Sequence, residues 1–222
     1  MEAFIIVAGG KGLRVGGVIP KQFMPLNGKP VLMHTIQAFY NFNPVGEVIL
    51  VLPKTHFDYW KRLCSEYKFD IPHLLVEGGK ERFFSVRNGL LAVKRAHYVA
   101  IHDGVRPLVS IDLIRRIMKE VREQKAVIPV VPLSDSIRQI TLSKESIALD
   151  RSSYCLVQTP QAFHYPKLMM AYRSDYNQNF TDDASVWEAD HRKVYMVDGE
   201  RRNIKITQTI DFSIAEAILE NS

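Results

Sequence analysis

The 222 residues are 46% hydrophobic, enough for one globular core, and carry 29 Lys and Arg against 24 Asp and Glu, a net charge of +5. Basic runs stop at two residues, as in Arg115-Arg116 and Arg201-Arg202, so no nucleic-acid stripe with stacking aromatics is present and a small phosphorylated partner fits the charge better. Apolar runs such as Val48 to Leu52 are too short for a membrane span, Met1-Glu2 leads straight into a strand, and two cysteines, Cys64 and Cys155, make neither a disulfide framework nor a zinc pattern. The expectation is one cytoplasmic domain over residues 1–222 with no membrane or nucleic-acid partner.

The first predicted element is a strand at Phe4 to Val7, which feeds the glycine-rich stretch "AGGKGLRVGGVIPKQF". Gly12 stands where a P-loop needs its hydroxyl residue after Gly-Lys, and no acid follows until Glu47, where a dinucleotide fingerprint needs one on the ribose. What remains is a loop whose backbone N–H groups can approach phosphates, with Arg14 and Lys21 adding charge; a solvated strand-to-helix turn is the ordinary reading of such a loop on its own. Further strands are expected at Val48 to Leu52, Tyr98 to His102, Val127 to Val131 and Val194 to Val197. Helical patterns lie at Val31 to Phe42, His56 to Tyr67, Phe83 to Arg95, Ile111 to Gln124 and Ile210 to Leu219. Such alternation predicts an α/β fold, a mainly parallel sheet with helices on both faces, whose ligand sits beyond the carboxyl ends of the strands.

Four clusters fall at those strand ends or in loops. In "GGKERFFSV", Gly78 and Gly79 can admit a base while Arg82 and Ser85 open a helix. In "IHDGVRP", Asp103 ends a strand, a position that suits either magnesium or a pairing with Arg106. "RSSYCLVQTPQAF" contains Arg151, Thr159 and Pro160, and "NIKIT" sets Lys205 between two isoleucines, where its ammonium needs solvent or an anion. "TDDAS" (181–185) reads as a helix N-cap followed by first-turn acids. One stretch departs from the alternation: residues 134–158 hold the short runs "SIRQITL" and "SIALD" around Ser143-Lys144-Glu145, the pattern of a β-hairpin arm. No Ser-His-Asp or Cys-His pairing emerges from the seven histidines, and His102 reads as a buried supporting residue.

In order and spacing, "AGGKGLRVGG…PKQF", "GGKERFFSV", "HDGVRP", "QTPQAF", "TDDAS" and "NIKIT" resemble the cytidylyltransferases of sugar-alcohol phosphates, most closely the 2-C-methyl-D-erythritol 4-phosphate cytidylyltransferases of non-mevalonate isoprenoid synthesis. The resemblance spans the chain. It implies a Rossmann-like domain, CTP and magnesium, and a homodimer whose arms complete the neighbouring site. Carried over by motif, Arg14 and Lys21 stabilise the transition state, while Ala8, Gly9, Gly10 and Gly12 cradle CTP. Gly79 and Ser85 select cytosine beside Arg82, Asp103 holds magnesium, and Gly104 follows it at the nucleotide. Arg106, Thr159 and Lys205 meet the sugar phosphate, Lys205 with a catalytic share, and Ser136 and Arg151 act from the partner's arm. Gly9 and Gly104 replace the family's common alanine and Ser136 its common threonine. Ribitol 5-phosphate cytidylyltransferases share "AGGKG", "PKQF" and "HDGVRP", so ribitol phosphate is the rival acceptor, and a non-catalytic nucleotide binder of the same fold is the rival of another class.

Overall fold

A computed structural model describes residues 1–9, 19–143 and 145–221. In chain order the strands and helices are β1 (Glu2–Val7), β2 (Pro25–Leu26), β3 (Lys29–Pro30), α1 (Val31–Phe42), β4 (Glu47–Leu52), α2 (Phe57–Glu66), β5 (Leu74–Glu77), α3 (Arg82–Leu91), β6 (Tyr98–Asp103), α4 (Ile111–Gln124), β7 (Ala126–Pro132), β8 (Ile137–Ile140), β9 (Ser146–Leu149), β10 (Cys155–Val157), β11 (Gln161–His164), α5 (Tyr165–Ala171), α6 (Asp183–Glu188), β12 (Tyr195–Asp198) and α7 (Ile210–Glu220).

The apolar run of β1 serves both faces of a sheet, as the period of two requires. Phe4 and Ile6 pack into a cluster with Leu32 and Ile36 of α1, Trp60 of α2 and Leu113 and Ile117 of α4. Ala3 and Ile5 face the other way, toward Phe83, Val86 and Leu90 of α3, Leu168 of α5 and Trp187 of α6. Helices therefore cover both faces, as the sequence predicts. α4 has its predicted bounds because Ser110 caps its start, accepting the Leu113 N–H at 2.9 Å, and Lys125 ends it at a left-handed φ of 73°.

The central sheet runs β10-β7-β11-β6-β1-β4-β5, with β12 also on β7. β6, β1, β4 and β5 are parallel neighbours, and β12 is parallel to β7. Three strands absent from the sequence reading alter the rest of this sheet. β5 is a four-residue, partly exposed edge strand, β11 inserts antiparallel between β6 and β7, and β10 pairs antiparallel with β7 at the other edge.

The hairpin occupies only part of the 134–158 stretch read as an arm: β8 and β9 pair antiparallel, Ile137 opposite Leu149 and Ile140 opposite Ser146, in a two-stranded sheet of their own. The chain leaves β7 at Pro132 and returns at Cys155, directly opposite it, so β10 belongs to the central sheet and anchors the hairpin's base. Ile140, Leu142 and Ile147 stand exposed on the hairpin. No helix among the described residues is long and apolar enough to cross a membrane.

Candidate active site

Register gathers the site. Val7 lies opposite Asp103 and Val51, and Leu52 opposite Glu77, so β1, β4, β5 and β6 end together and the segments after β1, β5 and β6 share one edge. A cavity of about 390 Å³ opens there, lined by Ala8, Gly9, Lys21, Gly79, Arg82, Ser85, Asp103 and Lys205 among others. Its glycine wall is held by one hydroxyl: Ser85 Oγ accepts the Gly79 N–H at 3.0 Å and donates to the Glu81 carbonyl at 3.2 Å. Close approach crowds any side chain at these glycines, most severely at Gly79. A Cβ on Gly79 would lie 2.2 Å from that of Phe84, and one on Gly78 would lie 3.1 Å from Ser85 Oγ. Across the cavity, Gln22 donates to the Ala8 carbonyl at 3.1 Å, tying the turn that carries Lys21 to the end of β1.

Asp103 is the charge centre. Lys205 Nζ lies 3.0 Å and Arg106 Nε 3.3 Å from its Oδ2, and Arg82 Nε lies 3.9 Å from its Oδ1. Burial pushes its carboxyl pKa up, but Arg82, Lys205 and Arg106 outweigh that and hold it far below the ordinary carboxylate range. The carboxylate is thus ionised at any working pH. For a magnesium ion the donor set fits in one way: Oδ1, with only the longer contact to Arg82, offers a single hard ligand, and the remaining oxygens come from phosphates and water. Among the described residues no three His, Cys, Asp or Glu cluster into an all-protein cage.

Behind Asp103 a buried chain fixes the backbone. The Asp103 N–H donates to Thr159 Oγ1 at 3.1 Å, and Thr159 Oγ1 lies 3.0 Å from His102 Nδ1. His102 Nε2 lies 3.1 Å from the Arg106 carbonyl, which can only accept, so Nε2 carries the proton and the Thr159 hydroxyl donates to Nδ1. Burial, the largest influence, lowers the His102 pKa to about 4, leaving it neutral in this role. Arg106 also donates to the Asn203 carbonyl at 2.8 Å, and Asn203 donates to the Thr159 carbonyl at 2.8 Å.

The family model described as IspD, 2-C-methyl-D-erythritol 4-phosphate cytidylyltransferase, matches residues 3–221. The chain belongs to this family. It is a cytidylyltransferase, an enzyme of the nucleotidyltransferase class. A curated relative of the same name from Bacteroides fragilis is 50% identical over 215 residues, covering 97% of this chain and 98% of its own. Another from Clostridium botulinum is 40% identical over 222 residues, covering 99% of each. Among solved structures, 4-diphosphocytidyl-2C-methyl-D-erythritol synthase from Anaerococcus prevotii superposes with a TM-score of 0.84 at 31% identity, covering 99% of this chain and 98% of its own.

Of the residues the sequence assigned to this cytidylyltransferase's site, Ala8, Gly9, Lys21, Gly79, Arg82, Ser85, Asp103 and Lys205 meet at the one cavity. Gly10, Gly12 and Arg14 lie outside the described residues. Gly104 is buried beneath the cavity floor, where an added Cβ would come 2.8 Å from that of Ala8. Arg106 and Thr159 support Asp103 from behind through the contacts above. Ser136 and Arg151 are exposed on the hairpin and its following turn, where Arg151 donates to the Ser134 carbonyl. Sequence reasoning missed Gln22, Lys80, Glu81 and Val105 on the cavity wall, and missed Asp183, which grips Arg82 through both terminal nitrogens. Gln22 and Glu81 sit inside the quoted motifs, so motif membership was a usable signal for them; for Asp183 the acid run in "TDDAS" was the only one.

Proposed function

We infer that this chain transfers the cytidylyl group of CTP to 2-C-methyl-D-erythritol 4-phosphate, releasing pyrophosphate and giving 4-diphosphocytidyl-2-C-methyl-D-erythritol for isoprenoid synthesis. The observation that carries the reading is Asp103 at the end of β6, ringed by Arg82, Arg106 and Lys205 on the wall of a glycine-lined cavity. An anion-rich substrate pair suits such a wall. A phosphate oxygen of the acceptor forms a bond to the α-phosphorus of CTP while the bond from that phosphorus to the bridging oxygen breaks, its electron pair leaving with pyrophosphate. No protein nucleophile takes part, so the residues act by placing anions and countering charge.

In this reading Ala8 and Gly9, with Gly10 and Gly12, present backbone N–H groups to the triphosphate, and Lys21 and Arg14 balance charge that grows at the α-phosphorus. Gly79 and Ser85 hold the cytosine edge, with Arg82 beside them and Gly104 shaping the floor. Lys205 reaches the acceptor phosphate from the Asp103 side, with Arg106 and Thr159 fixing that segment from behind. Magnesium, held by Asp103 and substrate phosphates, supplies charge neutralisation on the triphosphate when bound.

The enzyme works as a homodimer through the hairpin, with Ser136 and Arg151 serving the partner's acceptor site. An isolated two-stranded hairpin is marginal in water, and exposed Ile140, Leu142 and Ile147 give a second copy apolar surface to cover. Two free cysteines, Cys64 and Cys155, suit a reducing cytoplasm. The deciding experiment is pyrophosphate release from CTP with methylerythritol phosphate or ribitol phosphate as acceptor. Release with the former at a far higher kcat/KM is expected; preference for ribitol phosphate, or no release with either, overturns the reading.

A further inference from the structure

Arg82 stands between two acids. Its Nη1 and Nη2 donate to Asp183 Oδ1 and Oδ2 at 2.8 and 2.6 Å, while its Nε faces Asp103 Oδ1 at 3.9 Å. Asp183, fully buried at the start of α6, is itself pinned: the Tyr172 hydroxyl donates to its Oδ1 at 2.5 Å. The Tyr172 ring stacks on Phe83, the residue after Arg82, with centroids 4.8 Å apart. The helix start is also locked to β11, because Gln161 donates to Asp182 at 2.8 Å and accepts the Ala184 N–H at 3.0 Å. A buried ion pair is weak support for stability, since desolvation offsets the attraction, so this geometry needs another reason. That reason lies at Asp103, an acid on the cavity wall positioned to meet a metal, whose Oδ1 would be closed by a guanidinium moving about an ångström nearer.

We propose that Asp183 and Tyr172 are positioning residues that hold the Arg82 guanidinium back from Asp103, keeping Asp103 Oδ1 open to the metal–triphosphate complex. This rests on the nucleotidyl-transfer reading of the site. Releasing Arg82 lets it close from 3.9 Å to hydrogen-bond distance of Asp103 Oδ1, in competition with the metal. The signature is therefore a weakened metal response that excess metal restores, with turnover at saturating metal largely kept.

The test uses full-length Asp183→Asn, Asp183→Glu and Tyr172→Phe. Two quantities are read: the magnesium concentration giving half-maximal pyrophosphate release, and manganese affinity by electron paramagnetic resonance in the presence of CTP without acceptor. Asp183→Asn should raise the first and weaken the second by about tenfold, the equivalent of one charge-assisted hydrogen bond. Tyr172→Phe should shift both the same way by about threefold, the equivalent of part of a charge-assisted hydrogen bond. Asp183→Glu keeps a bidentate carboxylate and should restore most of the metal response. If Asp183→Asn does not fold, Tyr172→Phe decides alone. Folded variants with unchanged metal affinity, or with lost turnover that excess metal does not restore, overturn the proposal. A wild-type enzyme that releases no pyrophosphate from CTP overturns the reading beneath it instead.

Discussion

Acid should destabilise this protein through His102 by an amount the geometry lets one work out. The ring is fully buried against Phe39, with centroids 5.0 Å apart, and both nitrogens are engaged. Its ordinary value of 6.5 and its buried value of about 4 lie about 2.5 pH units apart. At about 1.4 kcal/mol per unit, the full difference is on the order of 3 kcal/mol. The folded state resists protonation, so the unfolded chain binds the extra proton; stability is complete above pH 6.5, falls as pH drops toward 4, and then levels. Neighbouring charges pull in opposite directions, Asp103 raising the value and Arg106 lowering it, so burial sets the net direction. Urea unfolding at pH 7.5 and pH 5.0, with chelator present and protein concentration fixed, should show wild type losing roughly 2 kcal/mol more than His102→Gln between the two conditions. His34, His56, His73 and His164, also lowered by burial, contribute equally to both proteins and cancel. Equal losses in the two proteins would show that the proton goes elsewhere, and the buried neutral ring would no longer explain how Thr159 and Arg106 are held.

On the transition-state roles proposed above, Lys21→Ala and Arg14→Ala should each lower turnover by orders of magnitude at unchanged thermal midpoint; near-normal single-turnover rates in either variant would remove that residue from the chemistry. Gly104→Ala should cost about 1–3 kcal/mol of unfolding free energy by overpacking against Ala8. Adding Ala8→Gly should recover part of that loss in a double-mutant cycle, and strict additivity would contradict the contact. Mixing Arg151→Ala and Lys21→Ala chains under subunit exchange should restore activity that neither has alone. If native mass spectrometry shows the mixed dimer and activity stays at the parental level, Arg151 does not serve its neighbour's site.

Where a pattern was local, the sequence could be read almost to the residue. The bounds of α1 and α4 follow from periodicity, a Ser110 cap and the helix-ending turn at Lys125, and both strands of the hairpin lie inside the runs assigned to it. β11 escaped because "QAFH" is too short for a period and its pairing partners, β6 and β7, lie far along the chain. At the site, glycines and charges in quoted motifs marked the cavity wall. The hydroxyl of Thr159 was legible as a site group but not its direction, which only the buried His102 reveals. Asp183 was legible as a first-turn acid and nothing more, since its partner Arg82 is 101 residues away.

The stretch between β12 and Lys205 has neither helix nor strand, yet its backbone is tied down at several points along its length. The Gly199 N–H reaches the Val130 carbonyl at 2.7 Å, the Glu200 N–H meets Gln158 Oε1 at 3.1 Å, and the Ile206 N–H meets the Val105 carbonyl at 2.9 Å. Loops are ordinarily where a lineage experiments with length. Here one added residue would slide Lys205 away from the carboxylate it touches, whereas the hairpin tip near Leu142 can lengthen without disturbing the cavity. Tolerance to insertion in this enzyme should therefore follow backbone bonding rather than secondary structure, and the irregular segment carrying Lys205 should be among the least negotiable in the chain.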